Sequence, residues 1–347
     1  MLVDSPPEQR AETASAPPTR RAMRAVGLLL ALVMLVLVAL ASIAIGAKEL
    51  SLGQVWHGLF EDSGTYGDVV VAERLSRTVL GLLAGAALGL AGAVLQALTR
   101  NPLADPGLLG INAGASAAVV TAVTFLGVTS LSGYVWFAFF GAAAVGALVW
   151  FLGGSRGATP VRLALAGTAI SAALYGYLQA VMIMDDAALG KMRFWTVGSL
   201  SAANDSTIRQ VLPFLLAGMV LALALSRPLN AMAMGDDTAK ALGANLNRTR
   251  ALSMLAATVL CGAATAACGP IVFVGLMVPH VVRSFTGPDL RWILPYAAIL
   301  SPVLLLGADV IGRMVARPAE LQVGIVTAIL GGPAFIYLVR RRRTAQL

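Results

Sequence analysis

The sequence predicts an all-α polytopic membrane protein of about ten transmembrane helices, and three observations carry that prediction. First, 58% of the 347 residues are apolar and only 12% are charged, about half the roughly 25% charge of a soluble domain. The mean hydropathy is +0.81. Second, the apolar residues gather into about ten runs, each close to the ~20 residues a helix needs to cross a bilayer. Third, basic residues collect in alternate loops. Bulk disorder is excluded, because disorder needs low hydrophobicity. A chain this poor in charge cannot cover the surface of a soluble enzyme.

The runs follow in order. Residues 1–24 hold Pro6, Pro7, Pro17, Pro18 and several charges but no apolar run, so they read as a disordered tail. Arg20-Arg21 stands before an apolar stretch and raises the possibility of a twin-arginine signal. The stretch 25–46 exceeds the ~7–15-residue core of a signal peptide, so it reads as a first transmembrane helix. The second span, 78–98, carries Gly81, Gly85 and Gly89 on one face, which permits close helix contact. The third, 108–128, repeats the device with Gly110 and Gly114. Spans four to six are 134–153, 161–183 and 208–226. The seventh, 250–268, holds the only two cysteines, Cys261 and Cys268. They share one helix face but stand too far apart to bridge, and they read as small core residues. The eighth, 270–286, opens at Gly269-Pro270, so it is expected to be partly broken. Spans 292–312 and 322–340 complete the set. All must be helices, because lipid offers no partner for an open sheet edge.

Alternation from a cytoplasmic N-terminus puts 17 of the 25 Lys and Arg residues on the cytoplasmic side. Eight fall outside: Lys48, Arg74, Arg77, Lys191, Arg193, Arg209, Arg313 and Arg317. This bias predicts that both termini are cytoplasmic. It also accounts for the net charge of +8 without a nucleic-acid partner. A helix–proline turn–helix pattern recurs at 84–110 and 256–279. The two copies start from opposite sides, which suggests an inverted repeat.

The sequence holds no P-loop, so ATP is not expected to bind here by that route. His57 and His280 belong to no metal motif. Intramembrane charge is sparse. Asp309 is the main case, with Arg313 one turn later, and an Asp–Arg pair fixing a helix end is one reading of it. A proton- or sodium-coupled carrier usually needs acids at mid-membrane depth. The longest polar insert runs from Arg227 to Arg250. Its pattern predicts two short helices at about 228–247, broken at Gly235 and Gly243, with Asp236 or Asp237 capping the second. Such a pair suits either a solvated loop or docking into a groove of another protein.

Several stretches resemble one family. They are ERLSRT at 73–78, ALTRNPLADPGLLGINAGA at 97–115, LALAGTAIS at 163–171, FWTVGSL at 194–200 and MGDDTAKALG at 234–243. GPIVFVGLMVPHVVR at 269–283, GPDLRW at 287–292, GADVIGR at 307–313 and VGIVTAILGGPAF at 323–335 follow in the same order. Together they resemble the permease subunit of binding-protein-dependent ABC importers for iron–siderophore, haem and vitamin B12, a FecCD-type, BtuC-like family. The resemblance covers about residues 25–340.

That resemblance implies a ten-helix BtuC-like permease fold with inverted repeats over residues 25–343. It implies a dimer of permeases, either two copies or two related chains, with the pathway between them. Two separate ATPase subunits would hold ATP and Mg, leaving no cofactor in this chain. An external solute-binding protein would deliver the solute, with ferric siderophore expected and vitamin B12 or haem as alternatives. Arg74, Arg77 and Arg313 match positions that pair with glutamates of the binding protein, where Arg offers a bidentate fork. Interfacial snorkelling is the other reading of them. Ser76 stands where the family usually has Pro. Gly235, Asp236, Thr238, Ala239 and Leu242 match the ATPase-coupling helices. Arg100, Asn101, Pro102 and Asp105 match the tight cytoplasmic turn after span two, which reads as structural, with a gating role as the other reading. Thr159 and Pro160 match the inner-gate loop loosely. Trp195, Gly198 and Ser199 either line the outer vestibule or anchor at the interface. The chain itself would make and break no bond in the solute. A self-contained ion-coupled carrier and a membrane scaffold are the rivals from other classes.

Overall fold

A computed structural model describes residues 20–61, 64–128, 130–154, 160–201 and 203–343. Among them every regular element is helical, with the elements α1 (Arg20–Ala44), α2 (Leu52–Phe60), α3 (Tyr66–Leu98), α4 (Ile111–Phe125), α5 (Leu131–Gly154), α6 (Pro160–Met184) and α7 (Asp186–Trp195). There follow α8 (Asp205–Ala224), α9 (Ser226–Ala233), α10 (Asp236–Ala241), α11 (Leu246–Cys268), α12 (Val274–Thr286), α13 (Leu290–Val315) and α14 (Val323–Arg343). A 3-10 turn, Pro106–Leu109, precedes α4.

The ten spans read from the sequence coincide with α1, α3, α4, α5, α6, α8, α11, α12, α13 and α14. Seven of these helices are long and apolar enough to cross a membrane among the described residues. Span eight is broken as expected. Gly269 to Phe273 is not helical, and α12 has 13 residues, only ~20 Å of rise.

Two boundaries differ from the sequence reading, and two short helices are additional. Helix α1 starts at Arg20, so residues 20–24 of the expected tail are helical, while 1–19 lie outside the described residues. Helix α3 starts at Tyr66 rather than 78 and has 33 residues, about 50 Å long. Its first three turns are too polar to read as a span, but they are good helix. The Thr65 amide donates to Asp68 Oδ2 at 2.8 Å, which closes the N-terminus. The short helices α2 and α7 escaped the sequence reading because neither is long enough to span.

Helices α3, α11 and α13 have the most buried apolar faces, and α1 and α6 the least. The glycine stripe of α3 explains the first contact. Gly81 lies on Leu306, Gly85 on Pro302 and Gly89 on Ser301, all of α13. At Gly92 the partner changes to α12, where a Cβ would overlap the Gly275 backbone. Small residues thus bring backbones to contact where no side chain fits. Beside that crossing, Gln96 Nε2 donates to Leu276 O at 2.9 Å. Both cysteines are buried and free. Cys261 Sγ donates to Asn112 Oδ1, which also accepts from Thr265 Oγ1 at 2.9 Å.

The spans alternate between two ends of the bundle. One end holds α9 and α10, the start of α1 and the α12–α13 loop. The other holds the end of α1, the start of α3 and the end of α13.

Candidate functional site

Charged side chains from distant parts of the chain meet at each end. At the end opposite α9 and α10, Asp309 is fully buried on α13. Arg77 reaches it from α3, with Nη2 donating to Oδ1 at 2.7 Å and Nε to the same oxygen at 3.1 Å. The third Arg77 nitrogen, Nη1, donates to Glu320 Oε2 at 2.6 Å. Arg313 lies one turn beyond Asp309, with its Nε 3.1 Å from Oδ2. That approach is an ion pair without hydrogen-bond alignment, since both atoms lack a hydrogen-bond partner.

Arg313 spends its hydrogen bonds on α1. Nη1 donates to Ser42 O and Nη2 to Ser42 Oγ, each at 3.0 Å. Arg74 does the same at the next carbonyls, donating to Ile43 O at 3.1 Å, Ala44 O at 3.0 Å and Lys48 O. The Ser42, Ile43 and Ala44 carbonyls are orphans of the α1 C-terminus, where a cation is favoured. The cluster holds Arg74, Arg77 and Arg313 against Asp309 and Glu320, so it keeps an excess positive charge. It opens into a cavity of about 320 Å³ whose walls include Lys48, Glu73, Ser201 and Pro318.

The sequence reading brought these three arginines to helix ends facing outward. The structure brings them together but buries them, at 6%, 8% and 1% exposure for Arg74, Arg77 and Arg313. Arg77 and Arg313 share Asp309, as the Asp309–Arg313 spacing had suggested for one of them. Ser76, where the family usually has Pro, donates from Oγ to Asp205 Oδ1 of α8 at 2.8 Å.

Trp195 and Ser199 do not line that cavity. The Ser199 amide donates to Cys268 O at 2.7 Å, and Gly324 N donates to Gly198 O at 3.1 Å. Gly198 has φ +80° and Gly269 φ +73°, which lets the two turns interlock as few side chains would permit. The segment 195–201 is therefore wedged between the α11–α12 break and the start of α14. Ser201, two residues on, is the one that faces the cavity. Thr159 lies outside the described residues, and Pro160 is the first residue of α6, a position that suits its missing N–H.

At the opposite end the two expected short helices are present as α9 and α10, broken at Gly235 with φ +108° and Gly243 with φ +79°. Leu229, Met232 and Ala239 are buried and anchor them. Thr238 is exposed, and so are Met234 and Leu242. Neither Asp236 nor Asp237 caps α10. Gly235 holds the cap position, and Asp236 is engaged elsewhere. Its Oδ1 accepts from Arg100 Nη2, and its Oδ2 from Arg250 Nη2 at 2.7 Å. Arg100 also donates to Met232 O at 2.7 Å. Burial acts to raise the Asp236 pKa, but Arg100 and Arg250 outweigh it and hold the carboxyl below its usual range.

A second clasp ties α9 to the start of α13. Asn230 Nδ2 donates to Asp289 Oδ1 at 2.6 Å, and Leu290 N donates back to Asn230 Oδ1 at 2.9 Å. Neither Arg250–Asp236 nor Asn230–Asp289 left a signal in the sequence, because each partner is an ordinary loop residue there. Close by, Asp105 caps the 3-10 turn through Gly107 N at 2.7 Å. It faces a cavity of about 340 Å³ shared with Val161, Ala164 and Thr168 of α6. Burial pushes its carboxyl up to about 6.

Comparison with known proteins agrees with this architecture. The FecCD transport family model matches residues 33–341. The ferric enterobactin transport system permease protein of Escherichia coli is 47% identical over 329 residues, covering 93% of this chain and 96% of the relative. The hemin transport system permease protein of Yersinia pestis is 38% identical over 318 residues, covering 90% of this chain and 94% of the relative. Among solved structures, a metal-chelate type ABC transporter in an inward-facing conformation superposes with a TM-score of 0.81 at 28% identity, covering 91% of this chain and 99% of the other. The chain is a multi-pass membrane protein and belongs to the FecCD transport family.

Proposed function

We propose that this chain is the membrane-spanning permease subunit of an ABC importer that carries a ferric siderophore across the inner membrane. The observation that carries the reading is the α9–α10 face. Met234 and Leu242 are exposed there on helices clasped to the bundle, in a chain without an ATP-binding loop. An exposed apolar pair on two short anchored helices suits insertion into a groove of a separate ATPase. ATP and Mg bind to that partner, and its closure moves α9 and α10 as one block. Both termini and the α9–α10 end lie in the cytoplasm, in keeping with the basic bias.

The arginine end faces the solute-binding protein. The excess positive charge around Asp309 attracts an acidic side chain entering the cavity beside Lys48 and Glu320. Arg74, Arg77 and Arg313 act there mainly by their field, since their hydrogen bonds are spent internally. The exposed apolar face of α6, with Val161, Leu165, Ile183 and Met184, meets a second permease subunit, either a copy or a related chain. The pathway runs between them.

A second reading, hemin as the solute, is favoured by the 38% identical relative. Vitamin B12 is the third. An ion-coupled carrier belongs to another class and would transport without an ATPase.

Uptake of labelled ferric enterobactin, hemin and vitamin B12 into a deletion strain carrying this chain tests the solute. ATP-dependent uptake of the ferric siderophore alone is expected. Transport into vesicles by this chain without a P-loop ATPase would sink the importer reading. For docking, Lys48→Glu changes the cavity charge while sparing the buried network. It is expected to slow binding-protein association, as rim charges do. Unchanged association in Lys48→Glu and in the Arg74→Glu/Arg77→Glu pair would overturn that surface.

A further inference from the structure

Between α1 and the α12–α13 hairpin runs a groove of about 730 Å³. Its walls include Met23, Leu30 and Met34 of α1 and Phe285, Tyr296 and Leu300 opposite. Gly27 and Ala31 form its floor. Tyr296 ties the two walls together, its Oη donating to Arg24 O at 2.6 Å. From Met23 to Met34 the groove climbs ~16 Å at 1.5 Å per residue. That is about half of a ~30 Å hydrocarbon core, the depth of one leaflet. Three of its wall residues, Met23, Leu30 and Phe285, are more than half exposed.

The mouth of the groove is basic and aromatic. Arg24 stands there, half-buried, with its guanidinium 5.9 Å from the centre of the Trp292 ring. Among the described residues no ion pair engages it. Arg21 is exposed one turn earlier on the same helix. Trp and Tyr at such a level mark the headgroup zone. An apolar slot one leaflet deep, closed at its polar end by cations, has the charge and length of a phospholipid. A second copy of the chain is a poorer occupant, because a two-fold contact would bring like arginines together.

We propose that this groove binds an anionic phospholipid, with an acyl chain along Leu30 and Met34 and the headgroup phosphate on Arg24 and Arg21. Guanidinium–phosphate contact supplies the preference for negative charge. The site rests on the family reading only in that α1 and α13 span a bilayer. The leaflet follows from the orientation proposed above, and the test does not depend on it.

The full chain, with its ATPase partner where it co-purifies, is placed in nanodiscs of phosphatidylcholine containing phosphatidylglycerol. Native mass spectrometry counts the lipids retained. Wild type is expected to retain phosphatidylglycerol over phosphatidylcholine. Arg24→Gln should retain roughly fivefold less, the factor carried by about one basic side chain at an anionic surface. Arg24→Lys should keep most of the preference. Leu30→Trp fills the slot and should lower retention without touching a charge. Lys191→Gln, on α7 at the opposite end, should match wild type. Equal retention of the two lipids by wild type, or wild-type retention in both Arg24→Gln and Leu30→Trp, would overturn the site.

Discussion

Arg77 and Asp309 stand 232 residues apart in sequence, yet their side chains meet at 2.7 Å. The pair joins α3 to α13, the two helices whose contact is set by the glycine stripe. Arg313 shares the same carboxylate and passes the connection on to α1 through Ser42. One buried acid therefore fixes three helices at the arginine end.

Removing that acid leaves the buried Arg313 without a counter-charge and Arg77 with Glu320 alone. Asp309→Asn should cost about 3–5 kcal/mol, the usual penalty for breaking a buried pair from one side. Denaturant or thermal unfolding in detergent measures it. Replacing Arg77 with Met as well should recover part of the loss, because the uncompensated charge is then smaller. A melting temperature unchanged in Asp309→Asn would show that water reaches the cluster.

Asp236 is a different case, since its carboxylate is partly exposed. Asp236→Asn should cost only about 0.2–1 kcal/mol of stability, as for other exposed pairs. Its larger effect is expected on transport, because α10 loses its ties to Arg100 and Arg250. ATPase rate and solute uptake, measured together in proteoliposomes, should separate, with hydrolysis retained and uptake reduced. The folded carboxyl is held below its ordinary value of 3.8. Its contribution is thus complete above that pH and fades only as the pH falls further. Across neutral pH the clasp should be independent of pH.

Asp105 titrates in the opposite sense. Its carboxyl moves from 3.8 up to about 6 on folding, so the folded chain binds the extra proton between those values. Stability should therefore decline as the pH rises from about 4 to about 6. Asp105→Asn keeps a capping oxygen but no titration. Melting curves across that window should slope less in the variant than in wild type.

Packing gives the sharpest contrast. A Cβ at Gly92 would overlap the backbone of Gly275, whereas at Gly307 nothing lies within 4 Å. Gly92→Ala should destabilise by about 1–3 kcal/mol, as overpacking does. Gly307→Ala should be neutral or stabilise by about 0.4–1 kcal/mol, because it restricts the unfolded chain. Unfolding in a mild detergent compares the two directly.

The order of the apolar helices and the broken eighth one were legible in the sequence, because lipid requires each long apolar run to close its own hydrogen bonds. The α9–α10 breaks were legible too, since Gly235 and Gly243 take positive φ that other residues resist. Helix starts were less so. The polar turns of α3 before Thr78 gave no apolar signal; the Thr65–Asp68 cap and the long-range bonds of Arg74, Ser76 and Arg77 hold them.

The arginine cluster shows the limit most clearly. Composition and spacing determined that Arg74, Arg77 and Arg313 gather at one end, because alternation of apolar runs fixes which side each loop takes. Only the tertiary structure decided that they turn inward, to Asp309, Glu320 and the last carbonyls of α1. A charge on a helix end faces outward unless a buried counter-charge repays its desolvation. Whether one is present depends on which helices cross there, and no local pattern in the chain encodes that.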